Sequence, residues 1–223
     1  MTDTIASRIE RLRAELPQGV DLCAVSKFHP AEAVAEAYEA GQRLFGESRV
    51  QELLVKIPQL PADIRWHFIG HLQTNKVRQI IGRVAMIESV DSERLLRLID
   101  SESEKAGVIS RILLQVHVAQ EETKFGFTPV ELLDFFRSRR FESLRATHIC
   151  GLMGMATNTP DRSRWTADFE TIAALRREIL AIAPDLRGFE TLSMGMSDDH
   201  AEAIAAGSTL IRIGTDIFGP RQY

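Results

Sequence analysis

Leu22-Cys23-Ala24-Val25-Ser26-Lys27, the stretch Pro30 to Ala40 closed by Gly41, and Arg43-Leu44-Phe45-Gly46-Glu47 together decide the fold. The outer two runs are short and apolar. The piece between them opens with a proline, favoured in a first helical turn, and ends at a glycine suited to a helix C-terminus. Strand, helix and strand in immediate succession make a βαβ unit, and therefore a parallel sheet.

The same rhythm runs through the rest of the chain. Apolar runs recur at Trp66 to Gly70, Val84 to Val90, Ile112 to Val118, Ala146 to Leu152, Phe189 to Ser193 and Thr209 to Ile213, which with Leu22 to Ser26 and Arg43 to Glu47 makes eight. Ile112-Leu113-Leu114-Gln115-Val116 is nearly continuous in apolar character, as strands covered on both faces are. Amphipathic segments alternate with these runs. Asp91 to Ala106 begins with an Asp suited to an N-cap and stops at Gly107, and Asp161 to Ala183 gives the longest pattern, ended by Pro184. A further pattern, Thr4 to Leu16, precedes the first strand and is expected to pack over one end or side. Eight strands with seven or eight following helices predict an α/β fold, a single closed (β/α)8 TIM barrel over residues 1–223 with an extra N-terminal helix. No Gly/Ser-rich linker or composition shift divides it.

The composition bounds the function. With 44% hydrophobic and 26% charged residues, the 223-residue chain is that of an ordinary globular protein. A net charge of -4 argues against a broad nucleic-acid footprint, though a local cationic pocket for one small anion is allowed. Cys23 and Cys150 stand far apart in apolar runs and read as small buried hydrophobes in a reducing compartment. His67, His71, His117, His148 and His200 show no metal-ligand spacing except the i, i+4 interval of His67 and His71, which is useless on a strand, so no metal is expected. The N-terminus is polar and charged and no apolar stretch approaches the roughly 20 residues of a membrane span, so a cytoplasmic location is expected.

In a barrel of this kind the chemistry sits at the C-terminal ends of the strands. The first strand ends in Ser26-Lys27, the second in Gly46-Glu47-Ser48 and the third in Gly70-His71-Leu72-Gln73. The seventh ends in Ser193-Met194-Gly195-Met196-Ser197 and the eighth in Arg212-Ile213-Gly214-Thr215. Small residues in these last two exits, with a helix pattern directly after Ser197, let backbone N–H groups approach a phosphate; the alternative is that Gly195 and Gly214 only permit tight turns. Lys27, partly desolvated in the barrel mouth, supplies the neutral amine a Schiff base needs, unless it is an ordinary solvated lysine. Arg212 alternates with Ile211 and Ile213, so its guanidinium points inside, where it needs a bound cofactor or an internal carboxylate such as Glu47 as acceptor. Met153, Met155, Met194 and Met196 read as adaptable core or pocket lining.

These residues carry a family resemblance. Ala24-Val25-Ser26-Lys27, Phe45-Gly46-Glu47 with Val50-Gln51-Glu52, Trp66 to Gln73, Gly151-Leu152-Met153, Leu192 to Asp198, and Arg212 to Thr215 with Ile217-Phe218-Gly219 occur in order along nearly the whole chain. The sequence resembles the pyridoxal phosphate homeostasis proteins (YggS/PROSC type), whose fold is like the N-terminal barrel of alanine racemase. The resemblance implies that Lys27 holds pyridoxal 5′-phosphate as a Schiff base, and that Ser193, Met194, Gly195 and Ser197, with Gly214 and Thr215, hold its phosphate. It also implies that Arg212 faces the pyridine nitrogen, which weakens the ring as an electron sink. Ser48 stands where the family usually has Asn, and Arg49 follows where an aromatic is common. Lys124 falls in another family segment, as a secondary cationic contact or a loop lysine in solvent.

The expected function is intracellular buffering and delivery of the cofactor to apo-enzymes, with no catalytic residue, by a monomer. The alternative is an amino-acid racemase using Lys27 and a second base such as His71. Racemases obtain that second group from an added C-terminal domain, which a chain ending at Tyr223 is expected to lack, and Tyr223 is itself a poor candidate for a positioned base. A phosphate-dependent regulator that never forms an imine is a third option.

Overall fold

Eight parallel strands close on themselves in sequence order in the computed structural model, which describes residues 3–121 and 125–220. They are β1 (Asp21–Val25), β2 (Leu44–Glu47), β3 (Arg65–Phe68), β4 (Met86–Val90), β5 (Ser110–Val116), β6 (Thr147–Gly154), β7 (Thr191–Ser193) and β8 (Leu210–Ile213). β1 pairs with β8 through Asp21 to Ala24, and that ladder closes the barrel. All eight expected strands are present.

A helix follows each strand: α2 (Ala31–Glu39), α3 (Val50–Lys56), α4 (Val77–Ile80), α5 (Glu93–Ala106), α6 (Pro129–Arg137), α7 (Arg162–Ile182), α8 (His200–Ala205) and α9 (Thr215–Phe218). The N-terminal helix α1 (Ile5–Glu15) is capped by the Thr4 side chain and packs on the barrel's side, against α2 and α9. The main core lies between strands and helices, where Phe45, Phe68, Phe135, Phe136, Phe169 and Phe189 are fully buried. Two smaller clusters, Met86 with Leu113, Cys150 and Met153, and Cys23 with Leu44 and Leu210, draw on strands all around the barrel and fill its interior.

The differences from the sequence reading are local. β5 begins at Ser110, two residues before the apolar run, because Ser110 and Arg111 pair with Thr147 and His148 of β6; it ends at Val116, where the chain turns to bond Phe127. β6 continues to Gly154, past a register shift beside Gly151. Ser92, not Asp91, caps α5 by accepting the Leu95 N–H, which leaves Asp91 to accept from Ser92 Oγ and His71 Nδ1. The helix after Ser197 starts only at His200, because Ser197 to Asp199 form a turn in which Asp199 Oδ1 accepts the Met196 N–H at 2.6 Å. Both cysteines are buried free thiols. Among the described residues no helix is long and apolar enough to cross a membrane, and no group of three or more His, Cys, Asp or Glu could hold a metal.

Candidate cofactor site

A cavity of ≈ 250 Å³ opens at the C-terminal ends of the strands. Val25 lines it from β1, Lys27 from just beyond that strand, Ser48 from the exit of β2 and Ile69 from that of β3. Met153 and Met155 close it on the β6 side, Met196, Ser197 and Asp198 come from the β7 exit, Arg212 from β8, and Gly214 and Thr215 from the β8 exit. A larger groove of ≈ 850 Å³ lies outside the barrel between residues 28–32 and α3, but neither Lys27 nor Arg212 reaches it. The smaller cavity is the candidate site because strand-end chemistry converges there.

Of the eight residues singled out from the sequence, Lys27, Ser197, Arg212, Gly214 and Thr215 line this cavity together. Ser193, Met194 and Gly195 stand behind it. Ser193 and Met194 are fully buried, the latter in the main core, and Gly195 shapes the turn between them and Ser197. Gly195 has φ +93, and a Cβ there would lie 2.7 Å from Ala203 Cβ and 2.9 Å from His200 Cα, so the position needs glycine. At Gly214 a Cβ would sit 3.3 Å from the Val25 carbonyl oxygen, a close approach of the β8 exit to β1.

Arg212 is 4% exposed, and its acceptors identify the barrel's internal carboxylate. Nη1 donates to the Ser193 carbonyl oxygen at 2.8 Å and to Ser193 Oγ at 2.5 Å, and Nη2 donates to the Gly154 carbonyl oxygen at 3.1 Å. Ser193 Oγ in turn donates to Glu88 Oε2 at 2.5 Å, Arg212 Nη1 itself lies 3.8 Å from that oxygen, and His67 Nδ1 donates to Glu88 Oε1 at 2.6 Å. Residues of β3, β4, β7 and β8 thus share one polar network across the barrel interior. Burial pushes the Glu88 carboxyl up, but the His67 hydrogen bond and the His67 and Arg212 charges outweigh it and hold Glu88 below the ordinary value.

Glu47, one internal carboxylate that the sequence offers as an acceptor for Arg212, is not its partner. It shares a face of β2 with Phe45, which packs toward the helices, and its Oε1 accepts from Ser26 Oγ and Lys56 Nζ, each at 2.6 Å. Burial raises the Glu47 carboxyl despite the nearby Lys56 charge.

Lys27 is half-buried at the cavity wall. His71 is not a lining residue: its Nδ1 lies 2.9 Å from Asp91 Oδ2, and its ring stacks on Phe125 with centroids 3.9 Å apart. Lys124 and Tyr223 lie outside the described residues. Glu88 and Lys56 are the polar residues near the site that the sequence reading did not single out. Glu88 had a usable signal, a lone charge in the apolar run Met86-Ile87-Glu88-Ser89-Val90.

Known proteins are similar to this chain in sequence and fold. The family described as alanine racemase, N-terminal domain, matches residues 1–222. A pyridoxal phosphate homeostasis protein of Schizosaccharomyces pombe is 36% identical over 98% of this chain and 93% of its own, and one of Vibrio cholerae is 40% identical over 92% and 86%. PipY of Synechococcus elongatus, solved with PLP bound, is 39% identical with a TM-score of 0.88, covering 97% of this chain and 100% of that one. Alanine racemase of E. faecalis shares the fold at a TM-score of 0.74 and 17% identity, over 98% of this chain and 58% of that one. The chain belongs to the alanine racemase N-terminal domain family and, within it, to the pyridoxal phosphate homeostasis proteins.

Proposed function

We propose that this chain binds pyridoxal 5′-phosphate in the C-terminal cavity through an imine to Lys27, and that it buffers the cofactor and delivers it to apo-enzymes in the cytoplasm, as a monomer and without robust catalysis. The observation that carries the reading is the convergence of the Lys27 amine, the Arg212 guanidinium and two close-packed glycine turns on one small cavity. The residues fit the group. The Gly195 turn packs against Ala203 and His200 and carries Ser197 to the cavity wall, the Gly214 exit packs against Val25 and carries Thr215 there, and these two hydroxyls are donors suited to a phosphate. Pyridoxal phosphate supplies an aldehyde that condenses with amines and a ring that withdraws electrons. Lys27 would hold it, its amine condensing with that aldehyde to give a C=N bond while the aldehyde oxygen is lost as water. Arg212, a donor that does not accept protons, would keep a ring nitrogen placed against it unprotonated and so limit the electron sink. That favours storage over chemistry. The PLP-bound PipY supports the choice of ligand, and the names of the relatives support the role.

Two expected results bear on this. The loaded protein restores activity to the apo form of a pyridoxal-phosphate enzyme, while α-proton exchange of alanine in deuterated water stays at the rate of the same concentration of free cofactor. Enzyme-like exchange would make the chain a racemase. Gly195→Ala puts a Cβ against Ala203 and His200 at a left-handed position, so the turn that carries Ser197 must shift, and cofactor affinity measured by titration is expected to fall roughly tenfold. An unchanged affinity would remove that turn from the phosphate site.

A further inference from the structure

Lys27 reaches the cavity from a backbone that has left the sheet. β1 ends at Val25, and two residues past Ser26 the chain takes φ +68 at Phe28, a left-handed conformation in a bulky residue. Such a residue costs roughly 1–3 kcal/mol and persists only where its surroundings over-determine it. Here they do so on both sides of Lys27. Before it, the Ser26 carbonyl oxygen accepts from Lys56 Nζ at 2.8 Å, and Ser26 Oγ donates to Glu47 Oε1 at 2.6 Å. After it, the Phe28 N–H donates to Glu52 Oε1 at 2.6 Å, and the Arg49 guanidinium lies 4.5 Å above the Phe28 ring.

Lys56 ties the two sides together. Its Nζ donates to Glu47 Oε1 at 2.6 Å and to Glu52 Oε1 at 2.7 Å as well as to Ser26, so its three N–H bonds all have acceptors. Glu47 is fully buried and Lys56 is 4% exposed. A buried ion cluster is weak grounds for stability, since well-packed apolar side chains serve a core as well or better. What this cluster does specifically is hold the residue before Lys27 and the residue after it.

We infer that Glu47, Glu52 and Lys56 are positioning residues that fix the Lys27 backbone and aim its amine into the cavity, while the spent donors of Lys56 keep that second amine out of the reaction. The inference rests on the reading of Lys27 as the imine-forming residue. A lysine stem carries about 2 kcal/mol of rotamer entropy, so a loosened backbone spreads the amine over many placements. A misplacement of about 1 Å can cost on the order of a hundredfold in rate.

Rapid-mixing absorbance gives the rate of imine formation with pyridoxal phosphate, and calorimetry gives the affinity for pyridoxine 5′-phosphate, which keeps phosphate and ring but has an alcohol in place of the aldehyde. In Glu52→Ala and Lys56→Met the imine rate is expected to fall at least about tenfold while alcohol affinity stays within about threefold of wild type. Glu52 is the partly exposed member, which makes its variant the safer of the two for folding. Equal losses for aldehyde and alcohol would mean that the cluster only supports the fold, and unchanged imine rates would mean that it does not position Lys27; either overturns the inference. An absence of imine in the wild-type protein would overturn the cofactor reading itself, and the inference with it.

Discussion

Glu88→Leu is expected to cost about 3–5 kcal/mol of folding stability, the usual consequence of removing one partner from a buried ion pair. Arg212 would keep its hydrogen bonds to the Ser193 and Gly154 carbonyl oxygens but lose the carboxylate that balances its charge inside the barrel. For a chain of this size that corresponds to a fall of roughly 6–20 °C in Tm. The double variant Glu88→Leu/Arg212→Met removes both charges and should recover much of the loss, because the single variant's penalty is mainly that of an unpaired buried guanidinium. Denaturant unfolding of the wild type, both singles and the double measures the coupling. A loss below about 1 kcal/mol in the Glu88 single would show that the network does not balance Arg212.

The same network sets a pH dependence. A carboxyl whose folded pKa is depressed binds its proton less tightly in the folded protein than in the unfolded chain. Its stabilising contribution is therefore complete above the unfolded value of about 4.3, and it is lost as pH falls through the lower folded value. Glu88→Gln should flatten the acid limb of the stability profile and leave the region above it parallel to wild type.

The barrel was legible because strands covered on both faces write themselves as apolar runs, and the turn residues between them, Gly41 and Gly107 among them, fall where helices end. The edges were less so. Ser110 and Arg111 look like loop residues, yet pairing with Thr147 and His148 extends the strand through them, and such pairing depends on a neighbour distant in sequence. The inward aim of Arg212 followed from alternation alone, but its partner did not. Strand parity excludes Glu47, which shares the face of Phe45, and permits Glu88, which shares that of Met86. Choosing among internal carboxylates requires knowing that β4 lies across the closed barrel from β8. Lys56 was hidden for another reason. In sequence it is one more charged residue in the last turn of a helix, four residues after Glu52, a spacing typical of solvated surface pairs. Only the depth of α3 against β1 and β2 turns that spacing into a buried cluster.

Lys27→Ala carries the largest functional effect, because it removes the atom on which the cofactor link depends. The variant keeps the glycine turns and Arg212, so it should still bind pyridoxal phosphate reversibly, and weakly. It should show no imine band and should release the cofactor on gel filtration. Both differences follow from the loss of one covalent bond, with the cavity otherwise intact.

The most direct measurement is a visible spectrum of the protein mixed with pyridoxal phosphate, followed by borohydride reduction and peptide mass analysis, for wild type and Lys27→Ala in parallel. The predicted result is an imine band in the wild type that reduction converts to a stable adduct on the peptide containing Lys27, with neither band nor adduct in the variant. An adduct on a different lysine, or no imine at any cofactor concentration, would contradict the account.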